Sequence, residues 1–205
     1  MCRQKSWHSS TIERILIKST ESVILVFTKA PIAGRVKTRL TPHISEEQAV
    51  SLHKHLVHRC LRTCVTAHWC DVQLWCSPNA EHPFFDDCRK RYRIVLKNQS
   101  GHDLGERMSA ALRAMLREYR RVIIIGTDAP ELDSELLDAA IEKLASVDIV
   151  LAPARDGGYV LLGASRYHDD LLGEVPWGTP RVLELTLRNV DRLGLKYSLL
   201  AECWD

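Results

Sequence analysis

Val122 to Ile125 reads VIII and is followed at once by GTDAP, a junction that constrains this chain more than any other feature. An unbroken β-branched run reads as a strand buried on both faces, which calls for helices on both sides of a largely parallel sheet. The remaining sequence alternates accordingly. Strands are expected at Val23–Phe27, Asp71–Cys76, Arg93–Lys97, Asp148–Leu151, Tyr159–Gly163 and Lys196–Leu200, between amphipathic segments. Ser45, with Gln48 three residues on, forms a capping-box pattern. It opens a helix to about Thr66, with Ala49, Leu52, Leu56, Val57, Cys60, Leu61 and Cys64 as its apolar stripe. A short helix is expected near Pro83–Arg91. Met108, Ala111, Leu112, Met115, Leu116 and Tyr119 mark another at 3.6-residue spacing, and a fourth starts near Ser134. A last helix is capped by Thr179, has Pro180 at its first position and ends at Gly194.

With 205 residues, 45 % hydrophobic and 26 % charged, the chain has material for one sizeable core. Residues 1–22 read as a polar tail and 23–205 as a single domain. A net charge of +2, with both signs interspersed, argues against a nucleic-acid partner. Apolar runs of about five residues argue against a membrane span, which needs about 20, and the start lacks the apolar stretch of a secretory signal. Seven cysteines without compact spacing imply reduced thiols in the cytoplasm. Cys60 and Cys64, near His58 and His68, could be imagined around a metal, but core packing is the better reading of that pair.

Chemistry concentrates in five stretches. FTKAPIAGRVKTRL, Phe27 to Leu40, leaves the first strand where ligands of open α/β sheets bind, and carries Lys29, Arg35, Lys37 and Arg39 around Gly34. Four cations on a shaped turn suit a diphosphate. Val36 precedes Lys37 where a Walker A loop needs glycine, and no GxGxxG follows the strand. Asp128, just past the central strand, can hold Mg²⁺ with phosphate oxygens, while Asp133 and Ser134 are better placed to cap the next helix. Asp156, Gly157, Gly158 and Tyr159 form a tight turn whose carboxylate and phenol could meet an acceptor hydroxyl. QSGHDLGERM offers a helix start to an anion or a base edge, with Asp103 a simple cap in the plainer reading. In PWGTPRV, Trp177 either stacks on a ligand or fills a gap.

Taken in order, FTKAPIAGRVKTRL, QSGHDLGERM, IGTDAPEL, DGGYVLLG and PWGTPRVL resemble the DUF2064 family, over roughly Val23 to Asp205. That family is described as arsenosugar-biosynthesis-type glycosyltransferases related to nucleotide-diphospho-sugar transferases. The resemblance implies a Rossmann-like GT-A fold, a three-layer α/β/α sandwich with a mixed, mostly parallel sheet. It makes Thr28, Lys29, Ala30, Gly34, Arg35, Lys37 and Arg39 the phosphate loop, Gln99 and Gly105 base-side contacts, and Asp128 the metal-binding aspartate. Gly157, Gly158, Tyr159, Trp177 and Thr179 would line the acceptor side. The family's chain usually continues in a WDVDTPEDL-like segment that supplies a second acid; here the sequence stops at CWD, so Asp205 alone is expected in that role and metal coordination is expected to be incomplete.

The functional expectation is glycosyl transfer from a nucleoside diphosphate sugar to a small-molecule acceptor, with Mg²⁺ or Mn²⁺ on Asp128, Lys37 and its neighbours steadying the leaving diphosphate, and Asp156 as base. The alternatives are nucleotidyl transfer from a nucleoside triphosphate, and a nucleotide-binding module without turnover. Monomer and homodimer are both left open.

Overall fold

The computed structural model describes residues 21–66 and 70–204. Seven strands form one sheet: β1 (Ser22–Lys29), β2 (Asp71–Ser77), β3 (Val95–Asn98), β4 (Arg121–Ile125), β5 (Ile149–Pro153), β6 (Tyr159–Ala164) and β7 (Tyr197–Leu199), in the order β3-β2-β1-β4-β6-β5-β7. Only β6 runs antiparallel to its neighbours β4 and β5. Five helices cover the sheet: α1 (Glu46–Thr66), α2 (Pro83–Tyr92), α3 (Leu104–Met115), α4 (Ser134–Lys143) and α5 (Val182–Arg192).

The pleat of β1 explains the layering. Ile24 and Val26 join the core under α1, α2 and α4, whereas Val23, Leu25 and Phe27 join the core under α3 and α5. All five are buried, as are Val122 to Ile125 of β4. Each such side chain gains about 1.5–3 kcal/mol on burial, so a charge in either strand would be expelled and both read as continuous apolar runs. The mixed, mostly parallel sheet between two helical layers is the GT-A-like α/β arrangement expected from the sequence.

Caps follow the expected chemistry with small shifts. The Ser45 amide donates to the Gln48 side chain at 2.9 Å and the Gln48 amide donates to the Ser45 hydroxyl at 3.2 Å, closing the capping box of α1. Asp103 and Asp133 cap α3 and α4 by accepting from the Glu106 and Leu136 amides. Several boundaries differ from expectation; α3, for one, ends at Met115, short of Leu116 and Tyr119. Arg93 is not in β3; it takes a left-handed conformation that terminates α2. The last helix starts at Val182 rather than Pro180, because Thr179 donates to the Pro176 carbonyl at 2.8 Å within a turn that precedes it. The six cysteines among the described residues are all buried and free. Cys60 and Cys64 lie in the core with α1, as the packing reading has it; His68 and Cys2 fall outside the described residues. No helix among the described residues is long and apolar enough to cross a membrane.

Strand order places the site. From β1 the chain builds outward through β2 to β3, then returns to lay β4 on the opposite side of β1. β1 and β4 are parallel neighbours whose connections leave in opposite directions, so a crevice opens beyond their carboxyl ends.

Candidate functional site

Two segments leave that crevice: residues 30–44 from β1 and Gly126 onward from β4. Thr28 is buried beside α1, and the Ala30 amide donates to the Ser77 carbonyl at 2.8 Å, so the loop departs from a fixed point. Beyond it the Arg35 amide donates to the Ile32 carbonyl at 3.0 Å, Gly34 is left-handed, and Lys37 is itself left-handed ahead of a 3-10 turn at Thr38–Leu40. Arg35 and Arg39 are exposed, and neither they nor Lys29 form an ion pair among the described residues.

Lys37 behaves differently. Its ammonium lies 3.1 Å from Asp128 Oδ1, which joins the basic loop of β1 to the carboxylate after β4 across the crevice. The Lys37 side chain is 16 % exposed and that of Asp128 58 %, so the pair is worth about 1 kcal/mol at most to stability. A pair this weak, held at this place, is better suited to be exchanged for a ligand than to hold the fold. Thr127 also donates to Asp128 Oδ1, at 3.3 Å, while Oδ2 takes no hydrogen bond among the described residues.

One carboxylate with an unengaged oxygen fits a Mg²⁺ or Mn²⁺ ion that takes its remaining ligands from phosphate and water. It does not fit a metal held by protein alone: among the described residues no group of three or more His, Cys, Asp or Glu could hold one. Asp205, the expected second acid, lies outside the described residues.

On the other flank, the Gln99 side-chain amide donates to the carbonyls of Thr28 at 3.2 Å and Trp75 at 2.8 Å, tying together the ends of β1 and β2. Its oxygen remains available as an acceptor. Arg107 braces the same corner, donating to the Gly101 carbonyl at 3.0 Å and the Ser77 hydroxyl at 3.3 Å. Sequence reading passed over Arg107, although it lies inside QSGHDLGERM. A groove of about 490 Å³ starts here, lined by Gly101, Asp103, Gly105, Glu106, Arg113 and Asp169; it adjoins the base-side stretch and contains neither Lys37 nor Asp128.

Gly105 is the seat of Trp177. A Cβ at Gly105 would stand 2.8 Å from Trp177 Cε2, inside van der Waals contact, so the indole fills the gap left by the missing side chain. Gly105→Ala should therefore displace the indole into water. Overpacking costs about 1–3 kcal/mol, partly offset by the ~1 kcal/mol that alanine gains over glycine in a helix. The expected result is a red-shifted tryptophan emission with a small loss of stability; unchanged emission would show that Trp177 does not rest there.

The acceptor-side expectations separate. The Asp156 carboxylate accepts from the Gly158 amide at 2.9 Å and is exposed in the turn between β5 and β6. Gly157, at φ +89°, passes directly over Pro180, and its carbonyl accepts from the Leu183 amide at 2.9 Å, fixing the turn to the start of α5. Tyr159 departs from the sequence reading. Its hydroxyl is enclosed beside Thr186, takes no hydrogen bond among the described residues, and has its pKa pushed up by burial; its ring packs edge-on against Trp177 at 6.3 Å. A hydroxyl enclosed there cannot meet an acceptor. Thr179 is exposed on the same loop. Beside the turn, Arg155 stacks on the Trp204 ring at 3.7 Å, and the Trp204 amide donates to the Glu131 carboxylate at 2.9 Å. Neither contact was legible in the motifs.

Comparison with known proteins matches residues 60–179, more than half of the chain, to a family model described as "Uncharacterized protein conserved in bacteria (DUF2064)". The chain belongs to the DUF2064 family. A solved structure from Desulfovibrio desulfuricans G20, provisionally named a nucleotide-diphospho-sugar transferase, is 32 % identical to this DUF2064 chain. It superposes with a TM-score of 0.81 over 89 % of this chain and 80 % of that one. Two more distant structures share the fold. Glucosyl-3-phosphoglycerate synthase from Mycobacterium tuberculosis, solved with Mn²⁺, UDP and glucosyl-3-phosphoglycerate, is 11 % identical with a TM-score of 0.59 over 100 % of this chain and 77 % of that one. 4-Diphosphocytidyl-2C-methyl-D-erythritol synthase from Anaerococcus prevotii DSM 20548 is 12 % identical with a TM-score of 0.58 over 89 % and 90 %. No curated protein matches the DUF2064 chain.

Proposed function

We propose that this DUF2064 protein transfers a glycosyl group from a nucleoside diphosphate sugar to a small-molecule acceptor, using Mg²⁺ or Mn²⁺. The observation that carries the proposal is the contact between Lys37 and Asp128 at the switch point of the sheet. A cationic loop and a carboxylate with one free oxygen converge where a diphosphate and its metal would lie. The provisional name of the Desulfovibrio structure supports the donor class.

In this reading Lys29, Arg35, Lys37 and Arg39 bind the diphosphate and stabilise the negative charge that accumulates on it as the glycosidic bond breaks. Lys37 moves from Asp128 to the phosphates when the donor enters, leaving the carboxylate for the metal. A divalent ion held by Asp128 would supply charge neutralisation of the leaving group. Gln99, with its nitrogen fixed by two carbonyls, presents its oxygen as an acceptor on the base side. Asp156 takes the proton of the acceptor hydroxyl.

The test is product analysis after incubation with labelled nucleotide sugars and nucleoside triphosphates. Release of nucleoside diphosphate is expected; release of pyrophosphate would make the protein a nucleotidyltransferase, and binding without either product would make it a nucleotide-binding module. Lys37→Ala separates binding from folding. Because Asp128 is 58 % exposed and solvent screens the pair from that side, melting should change little, by about 1 kcal/mol of stability at most from the lost ion pair. Loss of a charged hydrogen-bond donor to phosphate should weaken donor binding by roughly 10- to 100-fold in a calorimetric titration.

A further inference from the structure

His53 has no part in any of the motifs, yet it holds the end of β1 from beneath. It lies on the buried stripe of α1 between Ala49 and Val57 and is 5 % exposed. Its Nε2 is 3.0 Å from the Lys29 carbonyl oxygen and 3.4 Å from the Thr28 hydroxyl. An imidazole among apolar side chains is costly unless its polar atoms are paired, and an aliphatic residue would fill the stripe without that cost. The gain must come from what the ring holds, which is the peptide from which the basic loop departs.

We propose that His53 is a positioning residue for the diphosphate site, fixing the Lys29 peptide so that the loop from Ala30 to Leu40 leaves β1 in the direction that brings Lys37 to Asp128. The inference rests on the nucleotide-donor reading and extends it to a residue that does not touch the donor.

The ring's proton inventory sets its role. Lys29 O has no proton to give, so Nε2 donates, and the short bond is the one to that carbonyl. Burial lowers the pKa of His53, and the charges of Lys37 and Lys29 add to that; the Lys29 carbonyl and Asp128 oppose it. Nε2 carries a hydrogen in both the neutral ring and the imidazolium, so the bond survives titration. Positioning through Nε2 is therefore independent of pH, whereas proton transfer by His53 would not be.

The experiment compares wild type, His53→Gln and His53→Leu in calorimetric titrations with ADP, GDP, CDP and UDP in the presence of Mg²⁺, with circular dichroism as the folding control. The glutamine amide nitrogen can replace Nε2 as donor, and leucine cannot. Leucine is expected to weaken binding of the preferred diphosphate roughly tenfold, the penalty of a part-buried carbonyl that keeps only its long, 3.4 Å contact from the Thr28 hydroxyl. Glutamine is expected to restore most of that loss, with a pH profile of turnover matching wild type. Equal binding by leucine and wild type, or loss of a pH limb in the glutamine variant, would overturn the inference while leaving the donor reading intact. If wild type itself binds none of the four diphosphates, both fail together. Should the leucine variant not fold, ¹⁵N spectra of wild type decide: His53, assigned by difference from the glutamine variant, is expected as the Nε2–H tautomer and shifted by the diphosphate. An Nδ1–H tautomer or an unshifted resonance would contradict the proposal.

Discussion

Asp128→Asn is expected to reduce metal-dependent transfer roughly 10²- to 10³-fold while leaving the melting temperature within about a degree or two of wild type. The two halves of that expectation have separate causes. Asparagine keeps the size of the side chain but loses the anionic oxygen that would hold a cation, so the leaving diphosphate loses part of its neutralisation. Stability barely changes because the carboxylate is 58 % exposed and its pair with Lys37 is solvated. Steady-state turnover across a metal titration, run beside a thermal melt, checks both. An asparagine variant with wild-type turnover would remove Asp128 from the chemistry; a large loss of melting temperature would make it a structural residue.

Gly157→Ala is expected to be the most damaging single substitution in the turn between β5 and β6. At φ +89° an L-residue costs about 1–2 kcal/mol. A Cβ there would also lie 2.7 Å from the Pro180 carbonyl carbon, and backbone cannot yield as a flexible side chain does. Adding about 1–3 kcal/mol for overpacking, the loss comes to roughly 2–5 kcal/mol, or about 4–20 °C in melting temperature for a chain of this size. The Gly157 carbonyl also accepts from the Leu183 amide at the start of α5, so the turn and the helix should loosen together. Thermal denaturation and amide exchange at Leu183 are the measurements. A variant that melts like wild type would show that the Pro180 loop moves aside freely. By contrast, Gly105→Ala meets a side chain that can swing away, which is why its expected cost is smaller.

Much of this fold could be read from residues, because the strongest signals were the ones burial enforces. β4 had to be VIII-like to sit between two helical layers, and the reciprocal bonds of Ser45 and Gln48 follow from their spacing. Boundaries shifted where backbone conformation overrides pattern. Arg93 looks like the start of a strand but adopts a left-handed cap, and Pro180 looks like a first helical residue but packs under Gly157. The site was less legible. The basic loop and Asp128 could each be found, but their contact depends on β4 returning to the far side of β1, and strand order leaves no mark on hydrophobic periodicity. Tyr159 was misplaced because it opens β6 rather than completing the turn, and its side chain lies against Trp177 and against Thr186 of α5, both remote in sequence. His53 carried a signal that could have been used: a lone imidazole at the centre of an apolar helical stripe needs a hydrogen-bond partner at the sheet.

The central claim is that the basic loop and Asp128 form one nucleotide diphosphate site across the β1–β4 crevice. It is tested most directly by calorimetric titration of wild type and Asp128→Asn with ADP, GDP, CDP and UDP, each with and without Mn²⁺. The expected result is saturable binding of at least one diphosphate by wild type that tightens with Mn²⁺, and binding by the asparagine variant that no longer responds to the metal. Binding that ignores Mn²⁺ in wild type, or that responds to it equally in both proteins, would contradict the claim.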